Sequence, residues 1–148
     1  MLDNHQKNIA TFIHLSTFSR FFIPFGNFIG PIVLWMTNKE KSAFVDAHGK
    51  QAINFQISMF LYAVILGTIA IPFFIFHLFS GFDFIDFNGF HDFHINIGKP
   101  SPLLYIGGGL GVLAVIGFII ELVLIIIAAL KARDGELYQY PFTINFIK

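Results

Sequence analysis

The residues that could do chemistry in this chain are few, and most sit in unusually apolar surroundings. Glu121 is the only charged residue in the 28 positions from Leu103 to Leu130. An ionised carboxylate at such a place costs several kcal/mol unless it is paired, neutral or facing water. It therefore needs a partner, and the polar candidates in the other apolar segments are His14, Arg20, Asn54 and Gln56. With His14 it could line a proton or ion path; hydrogen-bonded, it is simply structural, the reading a single carboxylate favours. His91 and His94, with His77, Asp83, Asp86 and Asp92 nearby, offer donors that zinc or copper accepts. Their spacing fits no established ligand pattern, so they are weak metal candidates and a solvated polar loop is the simpler expectation.

Other chemistries are absent from the sequence. There is no cysteine, which excludes disulfides, thiolate metal sites and thiol nucleophiles. Ser58, Ser80 and Ser101 lack a nucleophile-elbow context, and no paired-histidine zinc motif occurs. The Gly107-Gly108-Gly109 run lacks the Lys-Ser/Thr ending of a phosphate loop, whereas Gly107 and Gly111 have the small-xxx-small spacing of close helix packing. The expectation is a protein that is not an enzyme and holds no cofactor.

The elements that position these residues are written in the hydropathy. The 148 residues are 55% hydrophobic and 12% charged, with 21 Phe, too apolar for a soluble domain of this size. Ile53 to Leu78 has no charged residue in 26 positions. A bilayer core of about 30 Å needs roughly 20 apolar residues, so 53–78 and 103–130 are each predicted to span. Residues 9–36 are interrupted by Arg20 and by Pro24, Gly26, Asn27, Gly30 and Pro31. The pieces on either side of the break, about 22 Å and 13 Å long at helical rise, fall short of a crossing. They are read as a helical hairpin that enters and returns, the alternative being one kinked span. The predicted fold is an all-α integral membrane protein, a bundle of about four membrane helices whose first two form a short broken hairpin, in a single membrane domain. Residues 37–52 are a cytoplasmic interfacial segment in which Ser42 or Asp46 could cap a helix running on into Ile53. Residues 79–102 form an outer aromatic loop and 131–148 a cytoplasmic tail.

Lys39, Lys41, Lys50, Lys131 and Arg133 flank the spans on one side, whereas Asp83, Asp86 and Asp92 lie in the intervening loop with only Lys99. Positive residues stay inside, which places both termini in the cytoplasm of an inner-membrane, multi-pass protein. No cleavable leader is expected, because Met1 to Asn8 is polar and no small-residue cleavage site follows. The formal charge is zero, from 9 basic and 9 acidic residues, so nucleic acid is not a partner. Within the hairpin, Arg20 is expected to snorkel toward headgroups. His14, Ser16, Asn54 and Gln56 read as inter-helix hydrogen-bonding groups.

Three stretches carry a family likeness: Phe22 to Pro31 (FIPFGNFIGP), Phe44 to Phe55 (FVDAHGKQAINF) and Ala129 to Pro141 (ALKARDGELYQYP). They resemble bacterial membrane proteins related to the twenty-kilodalton subunit of the chloroplast inner-envelope import translocon. The resemblance implies four membrane helices with both ends on the cytoplasmic or stromal side. It points to Asn27, Asp46, His48, Gly49, Lys50, Asn54, Gly135, Tyr140 and Pro141 near one membrane face. There, Asp46, His48, Lys50, Asn54, Lys131, Arg133 and Tyr140 would form a polar collar, which locks helix ends together or docks a partner. The leading expectation is a non-enzymatic subunit or accessory of a larger membrane assembly, with protein translocation or membrane-protein biogenesis as the process the resemblance implies. A small transporter using Glu121 and a metal-binding protein using His91 and His94 are the alternatives. The expected partners are the lipid bilayer and other membrane proteins, a second copy of the chain among them.

Overall fold

The computed structural model describes residues 2–80 and 102–148. Residues 81–101, and with them His91, His94 and nearly all of the expected outer loop, lie outside the described residues. Among the described residues there are four α-helices and no strand. They are α1 (Asn4–Leu15), α2 (Gly26–Asn38), α3 (Ala43–Ser80) and α4 (Pro102–Asp134). A 3₁₀ segment, Ser16–Phe21, extends α1, and another, Lys39–Lys41, follows α2.

The break in the first apolar region has a local cause. The hydroxyls of Ser16, Thr17 and Ser19 each lie 2.7 Å from the carbonyl oxygen three residues back, tightening the helix into a 3₁₀ turn. The chain then reverses through Pro24 and Phe25, the latter left-handed at φ 59°, before α2 starts. The Ser19 hydroxyl is also 2.7 Å from the Gly26 carbonyl. A Cβ on Gly30 would stand 2.6 Å from the Ser16 carbonyl oxygen. Glycine at 30 is thus what lets α2 lie against the end of α1.

Helix α3 begins earlier than the apolar run. Ser42 caps it, its hydroxyl accepting from the Phe44 amide at 3.2 Å. Residues 43–52, expected at the membrane interface, are therefore its opening turns. Gly49 lies flush on the Trp35 side chain, where a Cβ would clash. Helix α4 ends in a Schellman motif: Gly135 is left-handed at φ 84°, its amide donates to the Ala132 carbonyl at 3.1 Å, and the Glu136 amide donates to that of Lys131 at 2.9 Å.

The chain divides into two compact units. The first comprises 2–61 with 118–148. Its core joins Phe55, Ile125, Ala128 and Tyr140, with Ile13, Val45 and Ala52 in a second cluster and Ala10, Phe44 and Ala132 in a third. The described residues of the second, 62–117, are the remaining lengths of α3 and α4, where Val64, Ile65, Ile69, Val112 and Leu113 are exposed. Ala43–Pro72 and Tyr105–Asp134 are each 30 residues long and hold 18-residue windows of mean hydropathy 1.8 and 3.1, yet only 17% and 22% of those windows is buried. The central helix of a soluble protein would be mostly covered. These are two helices long and apolar enough to cross a membrane, with surfaces that suit lipid rather than water.

Candidate functional site

The first unit is organised around buried polar groups. His14 on α1 is fully buried and bonded on both ring nitrogens: Nε2 lies 2.8 Å from Nδ1 of His48 on α3, and Nδ1 lies 2.9 Å from the Tyr140 hydroxyl in the tail. The Tyr140 ring stacks on Phe55 with centroids 4.0 Å apart and planes 9° from parallel, and Phe44 meets the edge of His48. Nε2 of His48 is buried and has no hydrogen-bond partner among the described residues. In each of the two ring contacts the imidazole tautomers decide which atom donates. Burial pushes the Tyr140 phenol well above its ordinary value, with Tyr138 and Glu121 adding to the shift.

Glu121 has its partner in Arg20. Nη1 of Arg20 donates to Oε1 of Glu121 at 2.8 Å, the two side chains being 25% and 6% exposed, and the guanidinium also lies 5.9 Å from the centre of the Phe118 ring. Arg20, one of the candidate partners named for Glu121 and expected to snorkel toward headgroups, is held by that carboxylate. Deeper along the hairpin, Asn27 donates to the Gln56 carbonyl oxygen at 2.8 Å.

The seven residues of the expected collar separate into distinct groups. His48 and Tyr140 belong to the His14 chain. Asp46 accepts from the Trp35 indole at 2.8 Å and pairs with Lys50 at 2.7 Å. Asn54 faces the tail: its Oδ1 accepts from the amides of Phe146 at 3.1 Å and Ile147 at 2.9 Å, and its Nδ2 donates to the Ile147 carbonyl at 2.9 Å. Lys131 pairs with Glu136 at 2.6 Å on the surface, and Arg133 approaches Asp134 at 3.6 Å. Ser58, Trp35 and Phe55 carry essential contacts that the sequence alone does not single out, although a hydroxyl or indole beside an apolar run is a usable signal. Among the described residues, no group of three His, Asp or Glu is placed to hold a metal ion.

A family model described as the magnetosome magnetite crystal formation protein family matches residues 5–147. The chain belongs to this MamF/MmsF family. The match overturns the resemblance to the import-translocon subunit, and protein translocation goes with it. The stretches behind that resemblance report local needs of helix ends. Gly49 makes room for Trp35, Gly135 terminates α4, and Tyr140 closes the histidine chain. Such needs arise in any compact helical membrane protein and carry no activity. Neither the curated proteins nor the solved structures hold a significant match to this MamF/MmsF chain.

Proposed function

We propose that the chain is a non-enzymatic, multi-pass membrane protein that acts in forming magnetite crystals within a membrane-bounded compartment. The observation that carries this reading is the match of residues 5–147 to a family described by that role. The physical reading of the site supports a structural part in it. The buried polar groups bond one another and the tail backbone across segments, which suits a rigid platform. The hairpin enters and returns, the two long helices cross, and both termini lie on the cytoplasmic side. Between the two long apolar runs the sequence carries Asp83, Asp86 and Asp92, oxygen donors of the class hard cations accept. The Arg20–Glu121 pair gives Glu121 a structural role, so a transport path is not needed to explain it.

Deleting the gene from a magnetite-forming cell tests the proposal. The expected result is crystals altered in size or shape inside intact vesicles, restored by the wild-type chain and not by Arg20→Ala. Unchanged crystals would overturn it.

A further inference from the structure

The tail beyond α4 takes a path that a water-exposed terminus has no reason to take. From Tyr140, seated on Phe55, it reaches Ser58, whose hydroxyl accepts from the Ile144 amide at 2.9 Å. It then runs back along α3, placing the Phe146 and Ile147 amides on Asn54, one turn closer to the start of the helix. A left-handed Phe142 at φ 61° lies at the start of this reversal. Ser58 and Asn54 both lie within the uncharged run that begins at Ile53. They are buried, and what they satisfy is non-helical backbone. Non-helical backbone at that depth is tolerated only when protein groups take up its polar atoms, and Asn54 and Ser58 take up the amides of Ile144, Phe146 and Ile147 and the carbonyl of Ile147. Three apolar side chains of the same segment are exposed, Phe142 at 81%, Phe146 at 49% and Ile144 at 41%, while the exposed Asn145 between them lines a cleft beside α3. Lys148 closes the path beside Lys50 and Gln51, on the lip of that cleft of about 290 Å³.

We propose that residues 141–147 are a re-entrant anchor embedded in the lipid beside α3, with Phe142, Ile144 and Phe146 in contact with acyl chains and Lys50 and Lys148 at headgroup level. The occupant of this apolar face is lipid, because the segment that carries it is held on Asn54 and Ser58, which lie inside the uncharged run of α3. The anchor fixes how deep the polar half of the molecule sits. It replaces the expectation of a wholly cytoplasmic tail and rests on the reading of α3 as a membrane span.

Single-tryptophan variants made in a Trp35→Phe background and placed in vesicles of phosphatidylcholine brominated on its acyl chains test it. Tryptophan at Val64 reports the span, at Phe146 the anchor, and at Asp134 the water-facing reference. The expected result is that emission from positions 64 and 146 falls by about half or more while position 134 is little affected. Adding Asn54→Ala to the Phe146→Trp variant should weaken quenching there and leave it intact at 64. Quenching at 64 without quenching at 146 would overturn the anchor and leave the span standing, whether water, a second copy or another protein covers Phe146. Absence of quenching at 64 would overturn the span and the anchor together.

Discussion

The two halves of α3 and α4 obey different rules. Where they belong to the unit formed by 2–61 and 118–148, side chains such as His48, Asn54, Gln56, Ser58 and Glu121 are buried, and each bonds a side chain or backbone of another segment. Among the described residues of 62–117, exposed aliphatic side chains dominate, and no described atom lies within 4 Å of a would-be Cβ on Gly107, Gly108, Gly109 or Gly111. Lipid tails are as apolar as leucine, so helices gain little by exchanging lipid contact for contact with each other. Fixed tertiary structure then arises where polar groups and small residues gather. The polar half is held by its own contacts, and the apolar half by its solvent.

Substitutions that remove one partner of a buried contact should break this contrast most visibly. Arg20→Ala leaves the Glu121 carboxylate in place without its cation and should cost about 3 kcal/mol in denaturant-titrated unfolding of the bicelle-embedded protein. Adding Glu121→Gln should recover most of that loss. A cycle with no coupling between the two positions would remove the pair from the account. His14→Ala should follow at about 2–3 kcal/mol, since the Tyr140 hydroxyl and His48 Nδ1 both lose their partner. Asn54→Ala removes three hydrogen bonds to the tail. It should cost about 2 kcal/mol, accompanied by faster hydrogen exchange at Phe146 and Ile147. In the other half, Val64→Leu should change stability by less than about 0.5 kcal/mol, because lipid accommodates the added volume. A loss there as large as that for His14→Ala would mean that 62–117 has a protein interface of its own.

The apolar runs made the helices legible, since length and hydropathy act locally. The interruption between Ile23 and Gly26 was legible for the same reason: proline and glycine speak for their own positions. Glu121 announced that it needed a partner, and Arg20 was among the candidates, but four polar groups could answer equally well in one dimension. The His14 chain was beyond reach because its bonds join positions 34 and 126 residues apart. Asn54 was misleading in a more instructive way. An amide in an apolar helix suggests a bond to another helix, and nothing in its surroundings reveals that a non-helical tail comes back to meet it. The family resemblance failed because short polar stretches at helix ends answer to capping and close packing, which unrelated proteins share.

Hydrogen exchange of the chain in lipid nanodiscs, and again after transfer to a short-chain detergent, puts the contrast to the most direct test. Amides of 44–58 and 121–132 should keep their protection in both, while those of 62–72 and 105–117 should lose it once lipid is gone. Equal loss across both sets would contradict a polar half that holds itself together.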